Sequence, residues 1–409
     1  MTIRRQPADF IVEERVSEAF IASLRERGEP RFPHAVYTLA KTSLTTPDAV
    51  QHLARALRTR PNATSYAGLK DKHAQTTQLV SVHASGALPA SVDGPGWTAS
   101  LRGWCERAID SEAIEGNRFT IVVRDLSRDA CTEMDRRAAA LLDRAPASNA
   151  GAAKALLVVN YFGDQRFGSA RHGGGFVARR LIEGDFEGAL RLAIGTPARK
   201  DSGAKRQFTR LCATMWGRWP ELLAQLPRSP DRAAVECLAA GGSFRDAFAA
   251  LPAFFQLMCV EAFQSHLWNA TARALATRIA AEAGGTLLKT PDDFGELVFP
   301  AAGAVGAEWR DLVVPLLAPK SQLVEPWAGA AGAALASEGI DLPQLRIPGL
   351  RRPFFGETPR PLLVRAERFD LTGATTDELT PSGKRLKRVA SFELPRGAYA
   401  TVVLRALGQ

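Results

Sequence analysis

The chain has 409 residues, of which 46% are hydrophobic and 23% are charged. At about 150 residues per domain this length predicts two or three domains, and the composition excludes a disordered or low-complexity chain. Lysine and arginine number 52 against 43 acidic residues, a net charge of +9, so nucleic acid is the first partner to consider. The alternative is a basic surface that only confers solubility.

Strand patterns lie near the two ends of the sequence. Short runs rich in β-branched and aromatic residues, bounded by Gly, Pro, Asp or Ser, predict strands at residues 10–16, 34–42, 78–84, 118–126, 389–394 and 400–404. Apolar residues at helical spacing predict an amphipathic helix over residues 47–58, after Thr46, and a second helix over 131–145.

The centre of the chain carries helical spacing instead. Residues 177–194 and 252–283 are dense in Ala, Leu and Phe, and the second segment ends at Gly284-Gly285, where a helix cap belongs. We therefore expect residues from about 161 to 348 to be mainly helical. Strand-rich ends around a helix-rich centre predict one sheet domain with an inserted helical domain.

Several familiar sites are excluded by residue spacing. Gly163-Asp-Gln-Arg-Phe-Gly168 lacks the Lys-Ser/Thr pair that a nucleotide triphosphate site requires. The six histidines and five cysteines show no metal-ligand spacing, so we expect no metal, and sparse cysteines fit a reducing compartment. The first residues have no apolar signal region and no long apolar run follows, so we expect a cytoplasmic protein without a membrane segment.

One run remains as a candidate for chemistry, Tyr66-Ala-Gly-Leu-Lys-Asp-Lys-His-Ala-Gln-Thr-Thr-Gln78. It lies between the predicted helix and the next predicted strand. Gly68 allows a turn or the close approach of a ligand, while Lys70 and Lys72 would hold Asp71 ionised. A carboxylate in this state can act as a nucleophile or a general base. A solvated Lys-Asp-Lys turn is the alternative.

Four segments resemble the TruD family of tRNA pseudouridine synthases. The first, Arg4-Arg-Gln-Pro-Ala-Asp-Phe-Ile-Val-Glu-Glu14, resembles the opening pattern of the family, and Ala67-Gly-Leu-Lys-Asp-Lys-His-Ala74 resembles its catalytic segment. Gly116-Asn-Arg-Phe119 and Asn160-Tyr-Phe-Gly-Asp-Gln-Arg-Phe-Gly168 resemble a strand opening and the entry into an inserted domain. Fainter similarity is found at Gln264-Ser-His-Leu-Trp-Asn269 and Leu394-Pro-Arg-Gly-Ala-Tyr-Ala-Thr401.

The resemblance implies an α+β protein whose catalytic domain, of pseudouridine-synthase type, has a mixed, mainly antiparallel sheet. Residues 1–159 and 349–409 would form this domain, and residues 160–348 would form an inserted helical domain that makes one wall of an RNA cleft. The implied reaction isomerises uridine to pseudouridine in tRNA, at position 13 of the D arm. Because the base is detached from C1′, turned and rejoined through carbon, no redox or energy cofactor is needed. We expect a monomer, without a protein partner.

By this resemblance Asp71 corresponds to the catalytic aspartate of the family, which could attack carbon or abstract a proton. Arg4 and Glu14 could orient Asp71 or a phosphate, with Lys70 in support, although charged strand residues are more often exposed to solvent. A non-catalytic protein that binds and remodels tRNA is a second hypothesis. A glycosylase that releases the base would share Asp71 and the pocket.

The target uridine must leave its stack before these atoms can be reached. By resemblance Phe119 would stack on the uracil, Asn117 would bond its edge or sugar, and Phe10 and Tyr399 would wall the pocket. Core packing is the alternative for each aromatic residue, and for Phe10 the core and the pocket have equal weight. The alternative for Asn117 is that it only shapes the turn before its strand. Candidate phosphate contacts are Arg199-Lys200, Lys205-Arg206, Arg351-Arg352 and Lys384-Arg-Leu-Lys-Arg388.

Overall fold

The structure is a computed structural model that describes residues 2–84, 86–143, 154–168, 170, 174–197, 201–380 and 383–409. These residues form two compact units. The first consists of Met1–Val158 and Val364–Gln409, and the second is Val159–Leu363. Pro348, the expected end of the insertion, lies inside the second unit, because the strand Thr358–Pro361 pairs with the strand Val313–Leu316 of the same unit. That the second unit folds by itself stays a prediction.

The strands are numbered in chain order. They are β1 (Phe10–Val16), β2 (His34–Thr42), β3 (Thr64–Tyr66), β4 (Gln75–His83), β5 (Ser91–Gly94), β6 (Trp97–Cys105), β7 (Ile114–Leu126), β8 (Leu156–Val159), β9 (Leu287–Thr290), β10 (Leu297–Pro300), β11 (Val313–Leu316), β12 (Thr358–Pro361), β13 (Leu363–Leu371), β14 (Thr375–Thr376) and β15 (Leu386–Pro395).

The α-helices are numbered in the same way. They are α1 (Glu18–Ser23), α2 (Thr46–Ala56), α3 (Arg128–Leu141), α4 (Val177–Ile182), α5 (Phe186–Ile194), α6 (Gly203–Thr214), α7 (Trp219–Gln225), α8 (Arg232–Ala239), α9 (Phe244–Ala249), α10 (Ala253–Glu282), α11 (Ala307–Arg310), α12 (Ala328–Ser337) and α13 (Ala400–Ala406).

One large sheet organises the first unit. Its strand order is β5-β6-β2-β4-β1-β7-β15-β13-β8, with β3 beside β4 and β14 beside β15. The central pair β1–β4 is parallel, whereas β1–β7, β7–β15, β2–β4 and β2–β6 are antiparallel. Strands from both chain ends thus lie side by side, since β15 pairs with β7. The predicted α+β fold with a mixed, mainly antiparallel sheet is confirmed.

Helix α2 packs on one face of this sheet. The Thr45 side chain accepts a hydrogen bond from the Asp48 N–H and so caps the helix at its start. Ala49, Val50 and Leu53 are buried in one apolar cluster that also holds Tyr37 and Val80 from β2 and β4. The first turn of α2 is thereby fixed against β4, beside the segment that contains Asp71.

Most of the predicted elements are observed, and one is wrong. Strands β1 and β2 have the predicted bounds, and the helix predicted over 177–194 is divided at Gly184, whose φ is 77°. Residues 400–404 form the start of α13 instead of a strand, because Ala400, Val403, Leu404 and Leu407 follow helical spacing and are all buried. The end of the helix predicted over 131–145 lies outside the described residues.

The second unit is mainly helical. Its longest helix, α10, buries residues around its whole circumference, and α12 and β10 pack against it. Two short antiparallel pairs, β9–β10 and β11–β12, complete the unit. Over the ranges that the structure describes, no helix is long and apolar enough to cross a membrane.

Candidate active site

The segment that joins β3 to β4 carries Asp71, and a buried polar pair holds this segment in place. Thr46, in the first turn of α2, donates its hydroxyl hydrogen to Gln78 Oε1 at 2.9 Å. The same hydroxyl oxygen accepts from the Lys70 N–H at 2.9 Å, while Gln78 Nε2 donates to the Gly68 carbonyl at 3.2 Å. Helix α2 and strand β4 therefore both position the turn that precedes Asp71.

The carboxylate of Asp71 pairs with Arg4. Arg4 Nη2 lies 2.9 Å from Asp71 Oδ2, and the two side chains are 27% and 33% exposed. The guanidinium also lies over the Phe10 ring, 4.3 Å from its centroid. The ring fixes the guanidinium from one side, and the guanidinium orients a carboxylate that still reaches solvent.

The lysine before Asp71 bonds a carboxylate on another strand. Lys70 Nζ lies 2.6 Å from Glu14 Oε1 on β1, and the Glu14 side chain is 1% exposed. The second oxygen, Glu14 Oε2, accepts from the Leu79 N–H at 2.9 Å. Lys72 is exposed. Arg4 therefore pairs with the Asp71 carboxylate, and Lys70 pairs with Glu14 and ties the Asp71 segment to β1. The expected role of Lys72 at Asp71 stays a prediction.

A further lysine, Lys41 on β2, is a site residue that the motif reasoning missed. Its side chain is 2% exposed, and Nζ donates to the backbone carbonyls of Leu44 at 2.8 Å and Asp71 at 2.9 Å. Burial lowers the pKa of Lys41 to about 8, and Lys70 lowers it as well, against the opposing effect of the Asp71 carboxylate. The available signal was a lysine at the inward position that follows Ala35, Tyr37 and Leu39 in the alternation of β2.

Strand register places the other expected residues on one face of the sheet. Val12 on β1 is opposite Phe119 on β7, and Glu14 is opposite Asn117. Phe119 in turn is opposite Phe392 on β15. Since directly paired residues project from the same face, Asn117 and Phe119 share the face of the Glu14–Lys70 pair.

The aromatic residues of this face form a contiguous cluster. The rings of Phe10 and Phe119 meet edge to face with centroids 6.2 Å apart, and Phe119 lies 5.7 Å from Phe392. Phe119 is 8% exposed, compared with 2% for Phe10 and 1% for Phe392. Burial therefore favours core packing for Phe10, while Phe119 is the member that a ligand can reach most easily.

Tyr399 lies at the N-terminal cap of α13 and is half-buried. The preceding strand, β15, pairs with β7 at Leu394 opposite Asn117 and at Pro395 opposite Gly116. This pairing brings the chain that leads to Tyr399 close to Asn117. Its part in a pocket wall stays a prediction.

Glycine at position 116 permits this pairing. A Cβ atom built there would lie 2.1 Å from the Leu394 carbonyl oxygen, a distance that real Cβ atoms do not adopt. The backbones of β7 and β15 can approach each other at this point only because residue 116 has no side chain. The glycine of the Gly-Asn-x-Phe motif thus sets the position of Asn117.

Two polar atoms at the site are buried without a partner. Within the described part of the chain, neither Arg4 Nε nor Asn117 Oδ1 has a hydrogen-bond partner. A buried polar atom left unpaired costs about 1–3 kcal/mol, so proteins retain such atoms mainly where a ligand or water satisfies them. One free donor and one free acceptor are available beside the Asp71 segment and on the adjoining sheet face.

The expected phosphate contacts differ in how far they are already paired. Arg388 is buried and bonds Asp135, Arg385 bonds Asp125, and Lys387 bonds Glu378, so most of the 384–388 run serves the fold of the first unit. Arg351 and Arg352 are exposed, whereas Lys205 pairs with Asp231 at 2.6 Å. Arg199 and Lys200 lie outside the described residues.

Metal-ligating side chains are not grouped at this site. No set of three or more His, Cys, Asp or Glu side chains with ligand geometry is found in the ranges that the structure covers. The charged groups of the site are instead one carboxylate with its arginine, one buried lysine and one lysine–glutamate pair. These contacts hold the Asp71 carboxylate and its segment at a fixed position.

Comparison with known proteins gives the same assignment from three directions. The family model "tRNA pseudouridine synthase D (TruD)" matches residues 1–297. The tRNA pseudouridine synthase D of Aquifex aeolicus is 29% identical over 417 residues, which cover 99% of this chain and 97% of the relative. A Methanopyrus kandleri protein named "Probable tRNA pseudouridine synthase D" is 30% identical over 402 residues, 94% of this chain and 88% of its own.

A solved structure shows the same fold. The crystal structure of a tRNA pseudouridine synthase D candidate from Methanosarcina mazei superimposes with a TM-score of 0.67 at 24% identity, over 99% of this chain and 93% of the other. The resemblance, the fold class and the expected enzyme class, an isomerase that forms pseudouridine, are therefore confirmed. The chain belongs to the tRNA pseudouridine synthase D (TruD) family.

Proposed function

We propose that this chain converts uridine 13 in the D arm of tRNA to pseudouridine, with Asp71 as the catalytic carboxylate. The observation that carries the proposal is the Arg4–Asp71 pair, in which a partly exposed carboxylate is held by a guanidinium at 2.9 Å. The buried and unpaired Arg4 Nε and Asn117 Oδ1 support it, because they offer a donor and an acceptor to a bound nucleotide.

The reaction exchanges one bond of C1′ for another. The C1′–N1 bond breaks, the uracil turns, and C1′ bonds to C5, whose hydrogen leaves as a proton while N1 gains one. The atoms balance within one nucleotide and water. Asp71 acts on this nucleotide either by attack at carbon or by proton abstraction, and in both cases the carboxylate must be ionised when the substrate arrives. The Arg4 guanidinium, 2.9 Å from Asp71 Oδ2, holds the carboxylate in place.

The neighbouring residues have separate tasks in this proposal. Phe119 stacks on the extruded uracil, since it is the most accessible ring of its cluster. Asn117 Oδ1 accepts a hydrogen bond from the uracil edge or a ribose hydroxyl. Lys41 and the Glu14–Lys70 pair are positioning groups, because they contact the backbone or flank of the Asp71 segment and not a nucleotide.

Tritium release tests the proposal. A tRNA transcript labelled with tritium at C5 of uridine is incubated with the purified chain, and the C5 hydrogen appears in water when pseudouridine forms. We expect one tritium released per tRNA, and none from a transcript with cytidine at position 13. Free uracil in the supernatant would identify a base-releasing glycosylase. Tight binding with neither product would identify a tRNA-remodelling protein.

Replacement of Asp71 by asparagine tests the residue assignment. The Asp71→Asn variant keeps the size of the side chain and loses its charge, and loss of a nucleophile reduces kcat by about 10⁴-fold or more. Binding of the tRNA should be retained. A single-turnover rate within about tenfold of the wild type would exclude Asp71 as the catalytic group.

A further inference from the structure

Leu69 is an apolar side chain left in solvent two residues before Asp71. It is 63% exposed. Among the described residues of the first unit, the only other large hydrophobic side chain that is exposed is Ile21, at 39%. A single exposed leucine is common on protein surfaces, so the exposure alone indicates no function. What distinguishes Leu69 is its place two residues before the proposed catalytic group, in a fixed turn.

The exposure of Leu69 does not come from a loose backbone. The Gly68 carbonyl on one side accepts from Gln78 Nε2, and the Lys70 N–H on the other side donates to Thr46 Oγ1. The Asp71 carbonyl accepts from Lys41 Nζ, which is buried. The Leu69 side chain thus projects from a turn that is fixed on both sides, so little ordering is needed when it meets a partner.

Space beside Leu69 is open. A Cβ atom built on Gly68 would meet no heavy atom within 4 Å apart from those of its two chain neighbours. The turn is therefore open at Gly68, next to the exposed Leu69 side chain. Leu69 has no hydrogen-bonding group, so the partner must offer an apolar surface.

We propose that Leu69 is a wedge that enters the RNA stack at the place the target uridine leaves, in contact with the faces of the neighbouring bases. This inference rests on the proposed action of Asp71 on an extruded uridine. Two residues span at most about 7 Å, so a base step next to the nucleotide at Asp71 is within reach of Leu69. Base faces are apolar, and apolar side chains placed between base steps offset part of the unstacking.

A phosphate contact does not explain the residue. Lys72 and His73, directly after Asp71, are exposed and polar and could meet the RNA backbone. Leu69 is the apolar exception in this exposed stretch. As a positioning residue it would act on the opening of the RNA and not on the bonds that Asp71 changes.

The test compares two RNAs that differ only in the base opposite the target uridine, adenine in one and an abasic site in the other. Leu69→Ala should lower kcat/KM about tenfold on the paired RNA, where the uridine must leave both its base pair and its stack. The loss should be less than about twofold on the unpaired RNA, where extrusion of the uridine costs less. Leu69→Met keeps an apolar side chain of similar length and should restore the rate on the paired RNA. Ile21→Ala, the matched control, should leave both rates unchanged.

A fluorescence measurement separates opening from chemistry. With 2-aminopurine beside the target uridine, the full-length Asp71→Asn variant should raise the fluorescence when it binds the paired RNA, and addition of Leu69→Ala should abolish that rise. This outcome supports the wedge even if no pseudouridine forms in any reaction, a result that would refute only the proposed function. Equal fluorescence with and without Leu69, or an equal loss of rate on both RNAs, would overturn the wedge.

Discussion

Two arginines of the first unit, Arg124 and Arg4, bond aspartates in settings that differ in burial and in the surrounding hydrogen bonds. Arg124 bonds Asp9 at 2.8 Å and Asp377 at 2.7 Å, and these three side chains are at most 2% exposed. Arg4 bonds Asp71 at 2.9 Å, but both side chains are about one-third exposed or slightly less. Distance alone does not separate the two pairs.

The hydrogen bonds around each pair do separate them. Asp9 Oδ2 accepts from the N–H groups of Arg5 and Gln6, and Asp377 accepts from those of Asp125 and Leu379. Around Arg4 and Asp71, by contrast, Arg4 Nε stays buried and unpaired among the described residues. A fully satisfied buried network indicates a structural role, whereas an exposed carboxylate beside an unsatisfied donor indicates a place for a ligand.

The largest effect on stability is expected at Arg124. Arg124→Met leaves Asp9 and Asp377 buried without their cation, which should lower the free energy of unfolding by about 3–5 kcal/mol. Urea denaturation measures this value. Arg136→Met is the control, because Arg136 pairs with Glu133 on the exposed side of α3 and should contribute less than about 1 kcal/mol. Similar losses in the two variants would contradict a structural role for the buried network.

Arg4 should affect the rate instead of the stability. Arg4→Met removes the cation that orients Asp71, and loss of one such donor lowers kcat by about 10²-fold. Arg4→Lys should restore part of the rate, because it keeps a positive charge. Arg5→Met, an exposed neighbour, is the control and should behave as the wild type. A large drop in Tm with a normal rate per folded molecule would make Arg4 a structural residue.

Within the aromatic cluster, substitutions of Phe119 and of Phe392 should have different effects. If Phe119 stacks on the uracil, Phe119→Leu should weaken transition-state binding by about 1–3 kcal/mol. Phe392→Leu, at the same row of the sheet but 1% exposed, should lower Tm and leave kcat/KM per folded molecule nearly unchanged. Equal effects of the two substitutions on both quantities would show that the cluster acts only by packing.

The effect of Lys41 should be visible as a pH dependence. The pKa of Lys41 is lowered to about 8 by burial, below its ordinary value of 10.5. The unfolded chain therefore binds more protons between these values, so stability should rise with pH from about 8 to about 10.5. NMR titration of the lysine Cε signal missing in Lys41→Met should show a midpoint near 8. A midpoint above 10 would contradict the burial of a charged ammonium.

Strands of the sheet were predictable where apolar and polar residues alternate, and they were harder to predict where charged residues interrupt this alternation. Strands β1 and β2 combine apolar alternation with clear turn residues and were predicted with their observed bounds. Strand β13 was not predicted, because Arg365, Glu367 and Arg368 interrupt its apolar pattern. The structure accommodates Arg365 in the strand by an ion pair with Asp143. The sequence of helix α13 resembles a strand because its two adjacent valines have high strand propensity, but burial at helical spacing overrides this preference.

The residues of the site were predictable from motifs, but their partners were not. Asp71, Arg4 and Glu14 lie in recognisable segments. That Lys70 meets Glu14 depends on the parallel pairing of β1 with β4, which no local pattern encodes. The contact of Lys41 with the Asp71 carbonyl likewise joins a strand to a turn 30 positions later. Such contacts follow from tertiary structure alone.

If the Arg4–Asp71 pair serves catalysis and the Arg124–Asp9 pair serves stability, the variants Asp71→Asn and Asp9→Asn, measured side by side, must differ in opposite ways. Each is assayed for its single-turnover rate of pseudouridine formation per folded molecule and for its Tm. We predict that Asp71→Asn loses about 10⁴-fold or more in rate at an unchanged Tm, while Asp9→Asn lowers Tm and keeps its rate within about tenfold. A single-turnover rate of Asp71→Asn within about tenfold of the wild type would contradict a catalytic role for the Arg4–Asp71 pair.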